Sequence, residues 1–169
     1  MCIRDRGWPV RNTAITRMTE GYEVGHFVGY EADGIFQNQG EIFSHVNAEG
    51  DLLQPNASPG DIRFLDSNGD GIINSDDITD IGSPWPKHII GLSANLTYKD
   101  FYVSAIFNAQ IGHEIYRTYE RSDVTFSNYQ SFWLGRWTPE NPSTELPRLT
   151  STDPNNNQRP SDFYLENGN

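Results

Sequence analysis

The 169-residue sequence predicts an all-β chain with long loops, and three observations carry that prediction. Two adjoining segments, residues 92–98 and 101–111, alternate apolar and polar side chains with the period of two that a strand imposes. Only Lys99 and Asp100 separate them, which is the length of a tight hairpin loop. Composition agrees: 15 Gly, 10 Pro and 12% aromatics describe a turn-rich, strand-leaning chain rather than an Ala/Leu/Glu/Lys bundle.

From the N-terminus, residues 1–20 read as an uncertain or non-native stretch. Residues 1–6 carry charges where a secretory leader has its apolar run, and they lack continuity with the residues after them. Short β-prone pieces broken by glycine fill 21–38, residues 39–60 read as loop, and 61–65 form a brief strand. Pro84 and Pro86 then make 81–87 a rigid connector, since each fixes φ and removes a backbone donor.

The hairpin comes next. Leu92, Ala94, Leu96 and Tyr98 share a face with Phe101, Val103, Ala105, Phe107, Ala109 and Ile111, while Tyr102, Ser104, Ile106, Asn108 and Gln110 take the other. The second segment has about the 9 to 11 residues of a tilted membrane-spanning strand. It carries no formal charge. A soluble sandwich would bury the apolar face under a second sheet, and a membrane barrel would turn it to lipid. Periodicity does not choose between them, and the sandwich is the commoner architecture. Residues 113–150 read as a long loop containing Tyr116, Tyr119, Phe126, Tyr129, Phe132, Trp133 and Trp137, whose default role is packing within the loop. The chain stops on a turn signature, Asn167-Gly168-Asn169, so an internal piece of a longer protein is expected.

Charge excludes whole classes of function. With 12 basic against 23 acidic residues the net charge is −11, which argues against nucleic acid as a partner. The lone Cys2 rules out an internal disulfide or a CxxC site, and the four histidines have no zinc-site spacing. There is no GxSxG elbow, no phosphate loop and no carboxylate pair in an apolar setting, so no enzyme is expected.

The strongest chemical signal lies in residues 59–80. Asp66, Asn68, Asp70, Ile72, Asn74 and Asp77 occupy positions 1, 3, 5, 7, 9 and 12 of a calcium-type loop, with Gly71 at the sharp turn. Calcium wants six to eight oxygens, and this set offers five side chains and the Ile72 carbonyl. Asp77 stands where a bidentate Glu is usual, and no helix pair flanks the loop. The competing reading is an Asx-rich turn closed by its own side-chain to backbone bonds. A bound ion would brace the loop rather than do chemistry.

Several segments in order resemble the late barrel region of the SusC/RagA family of TonB-dependent outer-membrane transporters. They are Asp33-Gly34-Ile35-Phe36-Gln37-Asn38, then Pro59-Gly60-Asp61-Ile62-Arg63 leading into the aspartate loop, and Ile81-Gly82-Ser83-Pro84-Trp85-Pro86-Lys87. After the hairpin come Arg136-Trp137-Thr138-Pro139-Glu140-Asn141-Pro142-Ser143-Thr144 and Leu146-Pro147-Arg148. The resemblance runs from about residue 21 onward. It implies an incomplete fragment of a large transmembrane antiparallel β-barrel, 22-stranded in the family, with long external loops. It further implies import of glycans or peptides across the outer membrane, energy from TonB, and a SusD-like surface lipoprotein as partner. Residues 91–112 would then be a barrel hairpin with lipid on its apolar face and a periplasmic turn at Lys99-Asp100. The aspartate loop and residues 113–150 would be external. The rival reading is a secreted, calcium-braced binding module resembling a dockerin. A soluble glycan-cleaving β-domain is a third, without an identifiable carboxylate pair.

Overall fold

The computed structural model describes residues 15–18, 21–117 and 130–169. Among them the strands are β1 (Thr16–Arg17), β2 (His26–Gly29), β3 (Ala32–Ile35), β4 (Ile62–Phe64) and β5 (Thr79–Gly82). After these come β6 (His88–Tyr98), β7 (Phe101–Ile111), β8 (Glu114–Tyr116) and β9 (Leu165–Asn167), with one short helix, α1 (Gln39–Ser44). They form small antiparallel sheets, β1-β2-β5, β3-β4, β6-β7 and β8-β9, and no closed barrel is formed by the described residues. The predicted β character therefore holds, as a compact body from which one long hairpin departs.

One expectation is corrected. Residues 39–60 are not all loop, because Asn38 caps α1. Its side chain accepts the Glu41 N–H at 3.0 Å, and the Glu41 carboxylate accepts the Gln37 N–H at 2.8 Å. Capping makes so short a helix viable here, and Ile42 is driven into the core beside Phe36 and Ala57. At the other end, residues 165–167 form β9 and pair with β8 from Glu114↔Asn167 to Tyr116↔Leu165. Within the 1–20 stretch, residues 16–17 form β1 and pair with β2 through Thr16↔Phe27 and Arg17↔His26. Residues 1–14 and 19–20 lie outside the described residues, as do Tyr119, Phe126 and Tyr129.

The body is closed by an unusual strand edge. One side of β4 pairs with β3, and the other presents the Ile62 N–H and carbonyl and the Phe64 N–H to side-chain amides. Asn157 Oδ1 accepts from Ile62 N at 3.0 Å, Gln54 and Asn155 both donate to Ile62 O at 3.0 Å, and Gln54 Oε1 accepts from Phe64 N at 2.8 Å. Three amides thus do the work of a neighbouring strand, so the buried backbone groups stay paired. Beside them, Arg159 lies between the rings of Tyr30 and Phe64, 4.8 and 4.5 Å from their centroids.

At the seam between residues 58–61 and 136–148, Trp137 and Arg148 press onto Gly60. Gly60 has φ +93, and a Cβ there would collide with the Trp137 ring and the Arg148 Cβ. Gly60→Ala is therefore expected to cost about 3 kcal/mol, from left-handed strain plus overpacking. A urea unfolding curve measures it, and a loss below about 1 kcal/mol would show that the indole yields freely.

In the hairpin, β6 and β7 pair without a slip over all eleven residues, from His88↔Ile111 to Tyr98↔Phe101. Lys99 takes a left-handed backbone (φ 51) in the two-residue turn. The apolar face predicted from sequence is present, and among the described residues no second sheet covers it: Leu92, Leu96, Phe101 and Phe107 are each at least 60% exposed.

Candidate functional site

Three features could carry function: the aspartate loop, the seam that holds the body together, and the two faces of the hairpin. The loop runs from β4 to β5 rather than between two helices, which sets it apart from a dockerin-like arrangement. Asp66 collects backbone donors, its two oxygens accepting Gly69 N and Gly71 N at 2.7 Å and Asp70 N at 3.2 Å. Asp77 is fully buried and accepts from Ser67, Asn68 and Asn74 N–H groups, and with Asn74 it closes a capping box on the turn Ser75–Asp77.

The remaining members do meet. Asp70 Oδ2 receives the Asn68 amide at 3.1 Å and the Asn74 amide at 3.2 Å, and Asn74 also reaches the Ile72 carbonyl at 3.3 Å. The Ile72 N–H bond, with help from Asn68 and Asn74, lowers the Asp70 pKa from the ordinary carboxylate value. Asn68, Asp70, Ile72 and Asn74 therefore gather round one point, while Asp66 faces the loop backbone and Asp77 the interior. Among the described residues no three His, Cys, Asp or Glu side chains are placed to share a metal. As it stands the loop is closed by its own Asx bonds. The Asn68 and Asn74 side-chain oxygens accept the Asp70 and Asp76 N–H groups at 2.7 Å, which turns both amide nitrogens toward Asp70 Oδ2.

The seam was not foreseen. Asp61, fully buried, receives a two-pronged contact from Arg148, Nε to Oδ1 at 2.6 Å and a terminal nitrogen to Oδ2 at 3.0 Å. Asn157 adds a bond at 2.8 Å and the Ser58 N–H another at 2.8 Å. This satisfies every lone-pair direction of the carboxylate and ties residues before the hairpin to residues after it. Trp133 and Trp137 are buried as expected, but Trp137 packs across the seam and donates its indole N–H to Gln37 at 3.1 Å.

His45 sits nearby, its Nε2 on the Phe64 carbonyl at 3.0 Å and its ring edge-on to Phe36. Burial, aided by Arg63, lowers its pKa below the ordinary 6.5. The folded state then binds fewer protons than the unfolded chain between the lowered value and 6.5, so stability falls as pH drops through that window. His45→Gln is expected to flatten the pH dependence of the urea midpoint below 6.5, and an unchanged slope would refute the assignment.

On the hairpin, Asn95 Oδ1 accepts both the Tyr102 hydroxyl at 3.1 Å and the Ser104 hydroxyl at 2.8 Å. This polar ladder runs along one face, opposite the uncovered apolar face. Among the described residues no helix is long and apolar enough to cross a membrane, a test that does not bear on strands.

Comparison with known proteins gives a consistent answer. No family model matches the chain. Three TonB-dependent receptors of Formosa agariphila are similar to it. One is 35% identical over 162 residues, covering 90% of this chain and 15% of the relative. A second is 34% identical over 140 residues, 82% of this chain and 13% of the relative, and a third is 29% identical over 147 residues, 83% and 14%. The chain thus spans about one seventh of the length of these relatives. All three are receptors by name, in line with a chain that is not an enzyme. Over most of its length, then, this chain is homologous to a segment of TonB-dependent receptors.

Proposed function

We propose that the chain is a barrel-wall segment of a SusC/RagA-type TonB-dependent transporter in the bacterial outer membrane. In this reading β6 and β7 cross the bilayer, the Lys99-Asp100 turn is periplasmic, and the compact body stands outside the cell. The whole transporter imports glycans or peptides with a SusD-like surface lipoprotein, driven through TonB. One observation carries the proposal. The hairpin has two slip-free strands of eleven residues, one face apolar from Ile90 to Tyr98 and from Phe101 to Ile111 and uncovered, the other carrying Asn, Ser, Thr, Tyr and Gln with Ile89 and Ile106 and without formal charge. That length and alternation match a lipid-facing strand pair. The similarity to TonB-dependent receptors supports it independently.

Cysteine scanning in the full-length receptor, in intact outer membranes, tests the reading. Cysteine at Asn95 or Asn108 should react with a water-soluble maleimide, and cysteine at Leu92 or Phe107 should react at least about tenfold more slowly, as lipid excludes the reagent. Equal rates on both faces would end the proposal.

Calcium belongs to the same reading, as a brace for the external loop. Asn68, Asp70, Ile72 and Asn74 would hold it, with Asp66 ordering the loop backbone and Asp77 fixing the loop's inner side, and it would supply only charge neutralisation. The support is the oxygen spacing and the meeting of four of these residues round one point. Calorimetry on the full chain in detergent should give calcium-dependent heat at roughly millimolar metal, lost in Asp70→Ala. Absence of heat in the unsubstituted chain would remove the ion from the account.

A further inference from the structure

The seam carries an open cleft of about 510 Å³ that the transport reading does not use. Ser58 and Pro59 form one wall, and Arg136, Trp137, Pro139 and Arg148 the other. That volume admits a small molecule, and the cleft is shallow and open to solvent, with apolar walls and few polar groups. Its charge is distinctive. The chain as a whole is at −11, yet no acidic residue lines this cleft and two arginines do.

The two arginines are not equivalent. Arg148 is committed to the buried carboxylate of Asp61 through both prongs of its fork, so its charge is matched. Arg136 makes a single long bond, 3.4 Å, to the Trp133 carbonyl, and among the described residues it has no ion pair. The Ser58 hydroxyl likewise has no partner among the described residues. An arginine without a counter-charge, in a cleft walled by proline and indole, suits a planar, bidentate acceptor attached to a compact carbon frame.

We propose that this cleft binds an organic carboxylate of monosaccharide or amino-acid size, its carboxylate paired with Arg136 and hydrogen-bonded by Ser58. The cleft belongs to the compact body, so the proposal stands whether or not the hairpin lines a pore. A uronic acid and an acylated amino acid offer the same group, and the experiment separates them. The full chain in detergent micelles is titrated with galacturonate, N-acetylglycine and neutral galactose, following the Trp137 indole N–H resonance. Saturable shifts with either acid at about millimolar concentration, absent with galactose, support the proposal, and the tighter acid identifies the source. Arg136→Gln should weaken the acid at least about tenfold, and Arg136→Lys should recover part of the loss, since charge persists without the fork. Equal shifts with galactose, no shift with either acid, or undiminished binding in Arg136→Gln would overturn it. Retention of the remaining amide spectrum in both variants keeps a folding defect from being read as lost binding.

Discussion

Asp61→Ala is expected to lower the stability of the body by about 3–5 kcal/mol, the range for stripping one partner from a buried ion pair. The carboxylate is wholly buried and takes four donors: two prongs of Arg148, the Asn157 amide and the Ser58 N–H. Removing it leaves Asn157 and Ser58 short of an acceptor and Arg148 without its counter-charge. Arg148 keeps about a quarter of its side-chain surface in water, so part of its charge is rehydrated and the lower half of the range is the better expectation. Against a total stability of about 5–15 kcal/mol for a domain, a loss of this size approaches the unfolding threshold. Urea titration of Asp61→Ala, Arg148→Ala and the double variant measures it. The double variant should lose clearly less than the sum, by about 1–3 kcal/mol of coupling. Additive losses would mean that the two side chains stabilise the body separately and that the seam has another anchor.

The second large effect concerns the hairpin, and it rests on the proposed membrane setting. Phe107→Arg should destabilise the full-length receptor in phospholipid bilayers by about 2–4 kcal/mol, the cost of an arginine near the bilayer midplane. Phe107 is opposite Leu92, close to the middle of the strand pair, and both side chains are uncovered. Asn108→Arg moves the same charge one residue along, onto the face with Asn95, Ser104 and Gln110, and should cost less than about 1 kcal/mol because that face meets water. The difference between neighbours is the measurement, read from urea unfolding in vesicles. Comparable losses at both positions would place both faces in the same medium and remove the lipid assignment.

The aspartate loop lies between a local and a distant explanation. Its side chains find donors within a few residues, as Asp66 does at Gly69, Asp70 and Gly71, and spacing alone was enough to single it out. Which of its oxygens turn outward was not legible. Asp77 occupies the last ligand position in sequence, yet its carboxylate goes to the Ser67, Asn68 and Asn74 amides inside the body. The Asn38 cap and the helix it starts were written in the sequence as Asn-Gln-Gly-Glu, but the glycine and the short run disguised them within a stretch that otherwise reads as loop.

Local order alone fixed the β character, the faces of β6 and β7, and the Lys99-Asp100 turn. A strand's period of two and a two-residue connection are properties of neighbouring residues, and no distant partner is needed to read them. The tertiary structure alone decided how the body closes. Arg148 meets Asp61 across 87 positions, Gln54 meets Asn155 across 101, and β9 finds β8 some fifty residues earlier. Asn, Gln and a single Arg carry no periodicity that names a partner. Their pairing comes from buried N–H and C=O groups on the β4 edge that had to be satisfied, and only the returning chain could supply the groups to do it.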